Sequence, residues 1–146
     1  MKGSFEVGSV EETWALAREF ANELKAGDVV CLEGDLGAGK TTFTQALAAE
    51  LGVTGRVTSP TFCLVQEHHG APRADGGETL LVHMDLYRLN NEDDVLAIGG
   101  EDYLERGAIL AVEWPERAET LIPHNARHVI FSHLGDNTER RKITFS

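Results

Sequence analysis

The chemistry in this sequence concentrates first in eight residues, Gly34, Asp35, Leu36, Gly37, Ala38, Gly39, Lys40 and Thr41, which meet every fixed position of the pattern G-x-x-x-x-G-K-[ST]. The pattern has a mechanism. Its glycines let the backbone turn tightly so that successive N–H groups point inward at an anion, and the helix that follows adds the positive end of its dipole. Lys40 then reaches the β- and γ-phosphates of a nucleoside triphosphate, and the Thr41 hydroxyl ligates Mg2+. Such a site also needs a carboxylate at the C-terminal end of a neighbouring strand to hold the magnesium, directly or through water. Two are available, Asp85 after the run TLLVHM and Glu113 after AILAV. Spacing does not choose between them, and each also reads as a strand-end acid facing solvent. No Asn-Lys-x-Asp tetrapeptide of the kind that reads guanine is present, which favours ATP over GTP.

The elements that must position these groups follow from the apolar pattern. Val29–Leu32 is a continuous apolar run of β type; after the glycine-rich turn comes a helical stretch from Lys40 to Leu51, stopped by Gly52. Upstream, Ser9-x-x-Glu12 has capping-box spacing, and Trp14, Ala17, Ala21 and Leu24 share one helical face before Gly27 closes the segment. The runs Cys63–Val65, Thr79–Met84 and Ala108–Val112 read as strands, the last two buried on both faces as in a parallel sheet. His68–Glu78, rich in Gly and Pro, reads as a loop insertion. Asn91 caps a short helix whose first turn holds Glu92, Asp93 and Asp94, and Arg127–Leu134 with Arg140–Phe145 forms a terminal hairpin. The expected fold is α/β: a three-layer P-loop NTPase domain, mainly parallel in its central sheet, with antiparallel strands at the periphery.

With 146 residues, 42% of them hydrophobic and 25% charged, the chain has room for one domain, residues 1–146. It carries 13 Lys+Arg against 24 Asp+Glu, a formal charge of −11. A domain that grips nucleic acid unaided shows a basic face, so autonomous nucleic-acid binding is not expected. The imbalance is uneven: residues 90–119 hold nine acids against two bases, which reads either as a solvated helical face or as a docking patch for a partner. No apolar run approaches the ~20 residues that cross a bilayer, and the N-terminus lacks the pattern of a secretory signal, so a cytoplasmic location without membrane contact is expected. The two cysteines, Cys31 and Cys63, lie in apolar runs and read as free core thiols.

Four segments, GDLGAGKTTF (residues 34–43), TSPTF (58–62), HMDLYRL (83–89) and VEWPE (112–116), occur in the order and at the separations of the TsaE family of bacterial ATPases. The chain resembles that family over residues 34–116, a little over half its length. Met84 stands where the family more often has an aromatic residue. The resemblance implies an Mg-dependent ATPase in the formation of threonylcarbamoyladenosine (t6A) on transfer RNA, with ATP and Mg2+ as ligands and little hydrolysis without partners. It implies that Glu113 is the magnesium-associated carboxylate alongside Thr41, that Asp85 positions or activates the attacking water, and that Thr42 lies within reach of the nucleotide. Ser59, Pro60 and Thr61 resemble a switch that senses the γ-phosphate or metal. Trp114, Tyr87 and Arg88 are candidates for switch, nucleotide or partner contact, and all three read equally as packing residues. The neighbourhoods of Val10, Glu11 and Thr138 are candidates for adenine contact. By the same resemblance the partners are TsaD, which transfers the threonylcarbamoyl group, and TsaB, which pairs with it. ATP hydrolysis resets that complex, and transfer RNA is met only through it.

Two other readings keep the phosphate loop. A small-molecule kinase needs a substrate pocket and an arginine-bearing lid, for which the 68–78 loop offers one arginine, Arg73. A nucleotide-dependent adaptor keeps the binding residues and needs no positioned water.

Overall fold

The computed structural model describes residues 1–34, 39–55, 65–73, 76–89, 91–135 and 140–146. The residues Asp35, Leu36, Gly37, Ala38, Ser59, Pro60, Thr61, Cys63 and Thr138, singled out above, lie outside the described residues.

Seven strands form one sheet: β1 (Gly3–Val7), β2 (Val29–Gly34), β3 (Val65–Pro72), β4 (Glu78–Asp85), β5 (Ile109–Glu113), β6 (Arg127–His133) and β7 (Arg141–Phe145), in the spatial order β1-β7-β6-β2-β5-β4-β3. The central four, β6, β2, β5 and β4, run parallel, while β7 and β3 pair antiparallel on the outside and β1 extends the β7 edge. The expected mixture of a parallel centre and antiparallel margins is what forms.

Burial on both faces explains the unbroken apolar runs of the centre. On one face α1 (Val10–Ala21) and α2 (Lys40–Glu50) cover Val30, Leu32, Leu81, Ala111 and Val129. On the other, Cys31, Val82, Met84, Leu110 and Val112 pack under α3 (Glu92–Ile98), α4 (Gly100–Glu105) and a short 3-10 turn (Pro115–Ala118). Alternate residues of each strand thus serve opposite layers. Phe43 on α2 anchors the first layer, with its ring 5.9 Å from Phe20, 5.4 Å from Phe131 and 6.0 Å from Phe145. Cys31 is a buried free thiol, which burial, then Glu33 and Glu116, push up to about 12.

The helix signals work where expected. Ser9 Oγ accepts from Glu12 N–H at 3.1 Å, and Asn91 Oδ1 accepts from Asp94 N–H at 3.0 Å. Three local expectations are corrected. The first helix ends at Ala21 with Asn22 as its C-cap, so Leu24 packs from the turn beyond it. Residues 68–72 are not loop but the outer part of β3, an edge strand paired to β4 alone. An edge strand needs no continuous apolar run, and Pro72 is tolerated at its end. Strand β1 and helix α4 were not expected at all. Among the described residues no helix is long and apolar enough to cross a membrane.

Candidate functional site

The site lies where the parallel strands β2, β5 and β4 end. Gly34 terminates β2 with φ +137°, and a Cβ placed there would come within 2.4 Å of the Phe131 carbonyl oxygen on β6. Only glycine satisfies both the dihedral and the close approach. Gly34→Ala is therefore expected to cost about 2–4 kcal/mol of stability, the sum of left-handed strain and forced backbone displacement. Urea denaturation checks it, and an unchanged midpoint would contradict this packing.

At the start of α2, Gly39 takes a left-handed conformation (φ 104°, ψ 10°) and no side chain caps the first turn. No acidic residue lies in that turn either. The leading N–H groups of an eleven-residue helix and its positive dipole end are thereby directed at the mouth of the site, the arrangement that suits an anion. Lys40 opens the helix. It is only 8% exposed, and its Nζ donates to the Gly34 carbonyl at 2.8 Å. Thr41 and Thr42, half-buried, follow in the same first turn.

Strand order sets which carboxylate lies beside Lys40. Because β5 lies between β2 and β4, Glu113 at the end of β5 falls beside Lys40, with its Oε1 at 3.7 Å from Nζ. Asp85, at the end of β4, is the register partner of Glu113, so the two carboxylates sit side by side on adjacent strands. Asp85 Oδ1 accepts from Tyr87 N–H at 3.0 Å, and Leu86 N–H donates to the Glu113 carbonyl at 3.1 Å, tying the two strand ends together.

Glu113 is 6% exposed. Burial pushes its carboxyl pKa up, but the hydrogen bond and charge of His83, followed by the charge of Lys40, outweigh burial and hold it below the ordinary 4.5. Glu113 is therefore a carboxylate at neutral pH, and His83 Nε2 must be the donor in its 2.7 Å contact with Oε2. His83 had no assigned role in the sequence. Its signal was present: a lone histidine after the apolar Leu80, Leu81 and Val82, two positions before Asp85 and hence on the same strand face.

Trp114 directly follows Glu113 with φ 60° and ψ 52°, the one positive-φ residue other than glycine among the described residues. This strained turn sets its ring over the Lys40 ammonium, 5.5 Å from the centroid. Tyr87, 54% exposed, packs against it with the rings tilted 52° at 4.9 Å, and Arg117 lies over Tyr87 at 6.0 Å. Trp114 also packs against the second core layer. Arg88 is exposed on the chain beyond Tyr87. Val10 and Glu11 line a second cleft with Trp14 and Arg18.

A cleft of about 290 Å³ lies between Leu32, Glu33, Gly34, Lys40, Trp114, Pro115 and Glu116. An uncapped helix start, a buried ammonium and two adjacent carboxylates fit a polyphosphate with magnesium. Mg2+ takes one or two carboxylates or hydroxyls from the protein and completes its shell with phosphate oxygens and water. Glu113, 3.7 Å from the Lys40 ammonium, and Thr41, the next residue of the helix, are of that kind. Arg73, the one arginine of segment 68–78, instead donates to the Gly107 carbonyl at 3.5 Å, before the start of β5 and so at the opposite end of the strands from the site.

Comparison with known proteins places these features in one group. The description "Threonylcarbamoyl adenosine biosynthesis protein TsaE" matches residues 7–143. A Bacillus subtilis protein called tRNA threonylcarbamoyladenosine biosynthesis protein TsaE is 40% identical over 136 residues, 93% of this chain and 80% of its own length. The Aquifex aeolicus protein of that name is 48% identical over 111 residues, 75% of this chain and 74% of its own length. The crystal structure of Bacillus subtilis YdiB superposes with a TM-score of 0.74 at 34% identity, covering 99% of this chain and 84% of that one. The architecture is accordingly the α/β P-loop fold.

Proposed function

Because the chain belongs to the TsaE family of threonylcarbamoyl adenosine biosynthesis proteins, we propose that it is the Mg-dependent ATPase of transfer-RNA t6A formation. In this reading it binds a TsaB–TsaD pair and resets it by hydrolysing ATP. The observation that carries the ATPase part is the juxtaposition of Lys40, Glu113 and Asp85 at the start of α2, with Glu113 Oε1 3.7 Å from the lysine.

Each residue has a distinct task. The first turn of α2 and Lys40 bind and orient the β- and γ-phosphates, together with the glycine-rich segment of the sequence pattern. Thr41 and Glu113 would hold the magnesium, whose charge supports phosphoryl transfer to water. Asp85 has one carboxylate oxygen engaged by the Tyr87 backbone, which fixes the group while leaving the other oxygen to orient the attacking water. Trp114 shields the ammonium from solvent and strengthens its field. Ser59 and Thr61 complete the γ-phosphate sensor, Thr42 adds a hydroxyl at the helix start, and Val10, Glu11 and Thr138 border the adenine. The protein acts in the cytoplasm.

Tyr87, Arg88 and Trp114 form the part of the site that a partner reads. The exposed acids within residues 90–119, among them Glu101, Asp102, Glu105 and Glu116, form a second docking surface. An acidic protein works on transfer RNA in this way because the partner holds the RNA, and its isolated hydrolysis is slow. The small-molecule kinase reading has no arginine-bearing lid among the described residues to support it.

Asp85→Asn tests the division of labour. Turnover of ATP should fall by about 100-fold, the scale of a positioned general base, while magnesium–ATP affinity changes by less than about threefold. Single-turnover phosphate release and calorimetry measure the two. Equal losses in both would make Asp85 a structural residue.

A further inference from the structure

His83 is fully buried, 0% exposed, within the otherwise apolar run 80–84 of strand β4. Among the described residues its Nδ1 has no hydrogen-bond partner. A buried imidazole with one nitrogen unsatisfied carries a desolvation cost that an aliphatic residue at the same position would avoid. What the ring gains is the 2.7 Å bond from Nε2 to Glu113 Oε2. That bond reaches from β4 to the neighbouring strand, two residues before Asp85 and on the same face.

We propose that His83 is the positioning residue for Glu113: it holds Oε2 and so fixes the carboxylate plane, leaving Oε1 as the one oxygen turned toward Lys40 and the metal position. The proposal rests on the reading of Glu113 as the magnesium-associated carboxylate. A terminal carboxylate torsion is broad and poorly determined by packing alone, so a hydrogen bond to one oxygen is an effective way to select an orientation. A histidine does this with a neutral-capable N–H donor of fixed direction, whereas a lysine or arginine there would bring a second permanent cation against the metal. Partners of this kind, one step removed from the ion, typically carry 10- to 100-fold in metal affinity or activity.

The test compares His83→Leu, His83→Gln and His83→Asn with the wild type, measuring calorimetric affinity for a non-hydrolysable ATP analogue with and without magnesium. The glutamine amide reaches about as far as Nε2 and keeps a donor to Glu113; the asparagine amide stops near the Nδ1 position. His83→Leu and His83→Asn should lose about tenfold or more of the magnesium-dependent gain in affinity, with metal-free affinity within about threefold of wild type. His83→Gln should recover most of that loss. If His83→Leu does not fold, the glutamine and asparagine pair still decides the matter. A wild-type magnesium gain in all three variants, or equal losses with glutamine and asparagine, overturns the proposal while leaving the Glu113 reading in place. A wild type with no magnesium-dependent gain overturns both.

Discussion

Lys40→Ala is expected to weaken ATP binding in the presence of magnesium by at least about 100-fold, or about 2.7 kcal/mol. The size follows from the setting of the ammonium. It is 8% exposed, held at 2.8 Å by the Gly34 carbonyl and covered by the Trp114 ring. A charge-assisted hydrogen bond to phosphate from such a site forms in a lower dielectric than water and needs little reorganisation. The start of α2 remains in the variant, so residual binding through backbone N–H groups is expected, with circular dichroism close to wild type. Lys40→Arg should not restore affinity, because a planar guanidinium neither fits beneath Trp114 nor places its charge at one point. Calorimetry measures each affinity, and undiminished binding by Lys40→Ala would remove the phosphate-loop assignment.

Glu113→Gln should lower ATP turnover by at least about 100-fold, since it keeps the shape of the side chain and removes the charge that would hold the metal. It also carries a signature in the protein without nucleotide. The folded-state pKa of Glu113 is depressed by His83 and Lys40. The stability contributed by this depression is fully present above the ordinary value of 4.5 and is lost as pH falls through the lower folded value. In the wild type, denaturation midpoints measured downward from pH 5 should therefore include a loss that Glu113→Gln lacks. Parallel acid limbs in the two proteins would mean that the carboxylate is not held as described, and unchanged turnover would remove it from the reaction.

Much of this site was legible because its residues mark boundaries. Asp85 and Glu113 each end an apolar run, and the glycine pattern fixes where β2 stops and α2 begins. What the run lengths do not contain is strand order. Glu113, rather than Asp85, lies beside Lys40 because β5 inserts next to β2, a non-local pairing with no local sequence signature. The same reason hid β1, whose short segment Gly3–Val7 exists as a strand through its pairing with β7 at the other end of the chain. Helix α4 was hidden by the Gly99–Gly100 pair, which reads as a breaker. In the fold Gly99 takes φ 78°, and Gly100 begins the helix where a Cβ would come within 2.6 Å of Leu121. Residues 68–72 of β3 read as loop in the sequence because an edge strand alternates and ends on Pro72. His83 escaped notice since a lone histidine in an apolar strand has no spacing rule; only its cross-strand partner gives it meaning.

In the proposed function this chain drives repeated rounds of transfer-RNA modification without itself carrying out the transfer. The measurement that reaches it most directly is reconstitution of the purified chain with TsaB, TsaD, transfer RNA and the threonylcarbamoyl donor, following t6A formed per TsaB–TsaD pair over time with magnesium and ATP. With the chain present, product should accumulate over many turnovers. Without it, or with Lys40→Ala in its place, formation should stop after about one turnover per pair. Continued accumulation at the same rate when the chain is omitted would contradict the account.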